Sequence, residues 1–182
     1  HVSYFTAKSS FNLLKKNHLE IFDIEKTPYH GGSLRVYSRY SNIVKKNKIT
    51  NSFIKKEEEI KLFDPKTYKK FMHQLNLKKL KFLKKIINFK SKGFKIVGIG
   101  AAAKANTFLN FIGLNNLIID YITDSSAHKI GKYTPLTRIP IFSDQKIKKE
   151  KKIYAISLAW NLSYMLEKKI KMINKNLKFI HF

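Results

Sequence analysis

Two glycines and a run of small residues join an apolar strand to a helix near the middle of the chain. Residues 96–99 are apolar enough for the centre of a parallel sheet. Gly98 and Gly100 permit a tight turn, and the alanines at 101–103 let the helix pack close to the strand. Such turns present a helix N-terminus to a phosphate or carboxylate. The spacing Gly98-x-Gly100-x-x-Ala103 fits only the relaxed dinucleotide-binding pattern, so packing alone explains it equally well.

Polar side chains follow two further apolar runs. Asp124 ends the run 117–124, at the distance where a Rossmann unit places its ribose-binding carboxylate, and Trp160 and Asn161 follow the run 152–159. The loops after parallel strands emerge at one edge of a sheet. We therefore expect one crevice there, formed by Gly100, Lys104, Asp124, Trp160 and Asn161.

Each polar candidate has a functional and a structural interpretation. Lys104 either holds an anion or is simply solvated, and Trp160 either stacks on a ring or fills the edge of the sheet. Asn161, an amide at a strand end, is more easily explained by function. His30 either contacts substrate or is a turn residue before two glycines. Arg35 pairs with a diphosphate or an internal carboxylate, and internal pairing is favoured.

The periodicity of the chain predicts an α/β protein. The predicted elements are a helix at 5–17 with Ser3 as N-cap, strands at 19–25 and 33–40, a helical connector at 45–63, a long helix at 65–89, and strands near 94–99, 118–123, 153–158 and 177–181. The later strands belong to a Rossmann-like parallel sheet, and the first two form a separate hairpin-like pair.

Four ordered motifs make the chain recognisable. They are HGGSLRVY at 30–37, GAAAKANT at 100–107, KIGKYTP at 129–135 followed by IPI at 139–141, and AWN at 159–161. Together they resemble the C-terminal region of S-adenosylmethionine-dependent sugar C-methyltransferases, over nearly the whole chain. Ala105 stands where that family usually has Gly, and Pro135-Leu136-Thr137 replaces a usual Pro-Gly-Thr.

The resemblance implies a reaction and a domain plan. Such enzymes remove a proton beside the ketone of a nucleotide-linked deoxysugar, and the enolate attacks the methyl group of S-adenosylmethionine. Residues 1–42 would be the tail of a class I methyltransferase domain, 43–64 a connector, and 65–182 the Rossmann-like C-terminal domain. The cofactor would bind to the missing upstream domain, and zinc to the missing N-terminal part. The chain alone would then be inactive.

The resemblance also implies site residues. The segment 1–5 matches a family stretch whose His looks like the catalytic base, which makes His1 the candidate base, because imidazole titrates near neutrality. The candidate substrate-binding residues are His30, Arg35, Gly98, Gly100, Lys104, Asn106, Asp124, Trp160 and Asn161. The partners implied are the sugar nucleotide and the upstream domains of the same polypeptide.

Composition limits the remaining function classes. The net charge is +25, but only three of the 37 basic residues are Arg, the side chain preferred for reading bases and clasping phosphates. We expect no specific nucleic-acid partner, no membrane association, no metal site within this chain, which has no Cys, and a cytoplasmic location. The alternatives are a free-standing Rossmann-type nucleotide-binding module, with Asp124 on a ribose, and a basic scaffold for RNA.

Overall fold

The computed structural model describes residues 3–182, apart from the side chain of His30, and the chain divides after residue 73 into two compact units. Unit 1 contains α1 (Ala7–Lys16), β1 (Leu19–Thr27), β2 (Ser33–Tyr40) and α2 (Lys48–Glu59). The two strands pair antiparallel, and a 3-10 turn at Tyr29–Gly31 connects them. The predicted hairpin-like pair is confirmed.

The start of α1 is held by a residue that lies far away in sequence. Thr6, rather than Ser3, is the N-cap, and its hydroxyl accepts a hydrogen bond from the Ser9 N–H at 3.1 Å. The Glu57 carboxylate of α2 accepts from the Ala7 N–H at 2.5 Å and the Lys8 N–H at 3.1 Å. The segment expected to be a connector therefore contains a helix that packs into the core of unit 1. The division at 1–42, 43–64 and 65–182 stays a prediction.

Unit 2 is a parallel α/β domain. Its elements are α3 (Pro65–Ser91), which begins before the boundary, β3 (Lys95–Ile99), α4 (Ala103–Ile112), β4 (Tyr121–Asp124), β5 (Ile141–Ser143), β6 (Ile153–Ser157), α5 (Ser163–Ile173) and β7 (Lys178–Phe179). The sheet order is β5-β4-β3-β6-β7, with every neighbouring pair parallel. The predicted Rossmann-like sheet, separate from the β1–β2 pair, is confirmed.

Alternation along β3 distributes the core between the two faces of this sheet. Ile96 belongs to the cluster that α3 and α4 cover, whereas Val97 and Ile99 belong to the cluster that α5 covers. Gly98 is buried among them, and a Cβ there would lie 2.4 Å from the Leu158 Cδ1. Close packing therefore explains the first glycine of the motif, and Gly98 lies in the core rather than at the crevice surface.

The structure differs from the predicted strands at β4 and at β5. β4 begins at Tyr121, later than expected, because residues 116–118 form a turn and Asp120 accepts from the Ile96 N–H at 2.8 Å. β5 was absent from the sequence-based prediction, since it has only three residues and follows Pro140.

Candidate functional site

A crevice of about 230 Å³ lies at the carboxyl ends of β3, β4 and β6. Its lining includes Gly100 after β3, Asp124 at the end of β4, and Ala159 after β6. Gly100 has φ +86°, and a Cβ there would lie 3.1 Å from the Ala159 Cβ, so the turn requires a glycine. Gly100 and Asp124 therefore meet in this crevice as predicted, whereas Lys104, Trp160 and Asn161 are not among the residues that line it.

Asp124 supplies a negative charge at the glycine turn. Its Oδ2 accepts from the Ala101 N–H at 2.8 Å and from Lys129 Nζ at 3.2 Å, and its Oδ1 accepts from the Ser126 N–H at 2.8 Å. Burial raises the pKa of Asp124, but these hydrogen bonds and the Lys129 charge outweigh it, so the pKa falls below its ordinary 3.8. The chain's own carboxylate thus takes the position that a bound anion would occupy beside the helix N-terminus.

Thr123 and Asp144 are among the polar residues of the crevice lining that the sequence analysis missed. Thr123 is fully buried, and its hydroxyl has no hydrogen-bond partner among the described residues. Asp144, which is 8% exposed, forms an ion pair with Lys169 at 2.7 Å. The sequence did contain a signal for Thr123, because a polar threonine follows Tyr and Ile near the end of a predicted strand. Asp144 lies in a Lys-rich segment that gave no such signal.

A second cavity, of about 290 Å³, contains Asn106. Its lining also includes Ala102, Lys129, Lys132 and Tyr133. The Asn106 Oδ1 is buried without a hydrogen-bond partner in the described part of the chain. Residues 129–135, which the sequence analysis used only as a motif, therefore supply polar groups next to the predicted Asn106.

Lys104 and Trp160 lie side by side at the same edge of the sheet. The Lys104 Nζ is 5.9 Å from the centre of the indole ring, within cation–π range. Trp160 is 48% exposed, so its side chain is not buried as core packing at this edge of the sheet. Asn161 is exposed in the 3-10 turn Trp160–Leu162, between Ala159 and Leu162, which both line the crevice.

The remaining candidates belong to unit 1. Arg35 donates to the Glu25 Oε1 at 2.5 Å, which is the internal pairing that the sequence favoured. A hydrogen bond from the Tyr37 hydroxyl and the Arg35 contact lower the pKa of Glu25. His30 lies in the turn Tyr29–Gly31, and its side chain is outside the description. His1 lies outside the described residues.

Neither a metal-binding cluster nor a membrane-spanning helix is found in residues 3–182. No group of three or more His, Asp or Glu side chains in that range is arranged to hold a metal ion. Within the same range, no helix combines the length and the apolar character that crossing a bilayer requires.

The parallel sheet, the glycine turn and the crevice at the carboxyl edge define a Rossmann-like α/β domain. Residues 28–182 match the family described as the C-methyltransferase C-terminal domain, and the chain belongs to that family. It is also similar to the C-methyltransferase NovU of Streptomyces niveus, with 26% identity over 162 residues. That match covers 88% of this chain and 39% of the relative, so the chain spans about two fifths of that protein's length.

Proposed function

We propose that this chain is the substrate-holding part of an S-adenosylmethionine-dependent enzyme that methylates the carbon beside the ketone of a nucleotide-linked deoxysugar. Membership of the C-methyltransferase family supports transfer to carbon. The observation that carries the substrate class is the second cavity at the carboxyl edge, because Lys132 lines it beside Lys129, whose ammonium group is paired with Asp124. Lysine ammonium groups provide the point charges that a sugar-linked diphosphate needs.

The described residues do not fit S-adenosylmethionine at the glycine turn. A ribose-binding carboxylate must accept bonds from the sugar hydroxyls, whereas Asp124 already accepts three bonds from the chain itself. The same contacts argue against a free-standing dinucleotide-binding module. We therefore assign the cofactor to an upstream domain of the same polypeptide, and zinc to its N-terminal part. On this assignment residues 1–182 transfer no methyl group alone.

The proposed base is His1. An imidazole titrates near neutral pH, which suits removal of a proton from a carbon beside a ketone. His30 and Arg35 remain candidate substrate contacts. Arg35 must release the Glu25 carboxylate before it can bind the substrate. The proposed enzyme works in the cytoplasm, with neither nucleic acid nor membrane as a specific partner.

A methyl-transfer assay on the full-length polypeptide tests this function. Methyl-labelled S-adenosylmethionine is supplied with nucleotide-linked keto-deoxysugars, and the labelled atom of the product is located by NMR. We expect a new carbon–carbon bond next to the ketone. The matched control is the same sugar nucleotide with the ketone reduced to an alcohol, which lacks the acidic C–H bond and should accept no methyl group. Transfer to oxygen or nitrogen, or equal transfer to the alcohol, contradicts the proposal.

A further inference from the structure

Helix α3 carries a second apolar face, which points away from the core of unit 2. Phe82 and Ile86 are buried in that core. In contrast, Leu77 is 46% exposed, Leu80 is 61% exposed and Ile87 is 56% exposed. Because an α-helix repeats about every 3.6 residues, these three side chains lie on the side of the helix roughly opposite to the core contacts. The helix therefore packs one apolar face into the core and presents another to solvent.

The exposed residues have the spacing of a coiled-coil seam. Leu77 and Lys84 occupy the a positions of two consecutive heptads, and Leu80 and Ile87 occupy the d positions. The buried Phe82 falls at an f position, on the far side of the helix from this seam. We call the four residues at a and d the α3 outer face. Such a face fits a second helix packed along it, because a and d side chains insert between those of a partner helix.

Positive charge accompanies the α3 outer face. The helix contains nine Lys and no Asp or Glu. Lys84 lies within the face, Lys81 lies at the flanking e position, and both are exposed. Neither ammonium group pairs with a carboxylate of residues 3–182. Lys90, on a side of the helix nearer the core, instead pairs with the Asp120 carboxylate at 2.6 Å. The outer face therefore combines apolar side chains with positive charge that no acidic group balances in the described part of the chain.

This charge decides between the possible partners of the face. Two copies of α3 packed together would bring their lysines side by side, and the whole chain has a net charge of +25, so a dimer through this face is opposed. A nucleic acid would balance the charge but leave Leu77, Leu80 and Ile87 in water. A membrane would cover them but would hold the Lys84 ammonium in the middle of the apolar contact. A helix with aliphatic residues opposite the leucines and Glu opposite Lys84 meets both requirements.

We propose that the α3 outer face docks an acidic amphipathic helix of a partner protein. The partner covers Leu77, Leu80 and Ile87 with aliphatic side chains, and one of its carboxylates bonds to the Lys84 ammonium. A charge pair enclosed by leucines fixes the register of the two helices, because a shift along the seam would bury each charge without its partner. The proposal concerns assembly and does not depend on the methyl-transfer reaction.

A designed peptide tests the face on the full-length polypeptide. The peptide spans about three heptads, with Leu at a and d, Glu at e and g, and one further Glu at the seam position that meets Lys84. The fluorescence anisotropy of a dye on the peptide reports binding. A control peptide has the same composition in shuffled order, so it keeps the charge and loses the heptad spacing. We expect saturable binding of the designed peptide and at least about tenfold weaker binding of the control. Equal binding of the two peptides, or binding of neither, overturns the proposal.

Two variants and a matched control locate the contact. Leu80→Gln removes an apolar side chain without changing the charge, and Lys84→Glu reverses the charge in the seam. Each should weaken binding of the designed peptide by about fivefold or more, and a peptide with Lys opposite position 84 should regain binding to Lys84→Glu. Leu117→Gln makes the first substitution at an 80% exposed position outside α3 and should change the affinity by less than about twofold. Unchanged affinity in both variants of the face contradicts the proposal.

Two further measurements test the other occupants of the face. Sedimentation equilibrium of the full-length polypeptide detects self-association, and flotation with vesicles of equal parts phosphatidylcholine and phosphatidylglycerol detects lipid binding. We expect Leu80→Gln to change neither result. A dimer that this variant dissociates would assign the face to a second copy of the chain, and vesicle binding that it abolishes would assign the face to a membrane. Either outcome refutes docking of an acidic helix.

Discussion

The Asp124 carboxylate accepts a hydrogen bond from the Ala101 N–H at 2.8 Å, so the end of β4 is tied to the glycine turn that follows β3. In a dinucleotide-binding Rossmann unit the glycine turn faces a phosphate, and a strand-end acid binds a ribose. Here both groups are committed to each other. Unit 2 therefore keeps the Rossmann-like fold, but the backbone N–H at the glycine turn bonds to the chain's own carboxylate instead of to a ligand.

Stability should therefore depend on the ionisation of Asp124. Because its folded-state pKa is lowered, the unfolded chain binds this proton more tightly, and the stabilisation is fully present well above pH 3.8. It should be lost as the pH falls below that value towards the lower folded pKa. Urea unfolding between about pH 6 and about pH 3 measures the effect. Asp124→Asn should flatten this part of the profile and cost about 1–3 kcal/mol at neutral pH; a profile as steep as that of the parent chain would contradict the assignment.

Gly98 should not tolerate even one added methyl group. A Cβ would lie 2.4 Å from the Leu158 Cδ1 and 2.8 Å from the Ile122 Cγ1, so Gly98→Ala should destabilise unit 2 by about 1–3 kcal/mol. Thermal unfolding provides the measurement. If the cause is this contact, Leu158→Val should recover part of the loss in the double variant. Additive losses in the double variant would point to another cause.

Leu136 carries a backbone strain that a glycine would relieve. It has φ +63° and is 84% exposed, so its side chain contributes little burial while its backbone lies in the left-handed region. Leu136→Gly should stabilise the chain by about 0.5–1 kcal/mol. Leu117 is 80% exposed and is not among the residues with positive φ, so Leu117→Gly is the matched control and should destabilise. A loss of stability at both positions would refute the strain argument.

His1 is tested in the full-length enzyme. His1→Asn should leave binding of the cofactor and the sugar nucleotide largely intact, while turnover falls by roughly a hundredfold or more. Solvent deuterium exchange at the carbon beside the ketone, measured without cofactor, should fall with it. Exchange at the parental rate would assign the base to another residue.

The sequence predicted the elements whose signals are contiguous. β3, the glycine turn and α4 follow one another directly, and Asp64 and Pro65 marked the start of α3. β5 was missed because three residues beside a proline carry too little periodicity. The contacts of Asp124 depend on a loop that brings Lys129 back to the strand end, and no local pattern encodes that return. The same limit applies to a cavity of about 400 Å³ in unit 2, because Phe108 and Phe182, which both line it, are distant in sequence.

The order of strands in unit 2 has a consequence for synthesis on the ribosome. Val97, in the central strand, pairs with Tyr121 on one side and with Ala155 on the other. Its second partner emerges only when most of the chain has been made, and without local hairpins the unit has a high contact order. Until β6 has been synthesised, the apolar segment 96–99 has no strand to pair with along one edge. Such an unpaired edge makes the nascent chain vulnerable to aggregation. The lysines at 92 and 95 precede this segment and serve as charged gatekeepers on its N-terminal side.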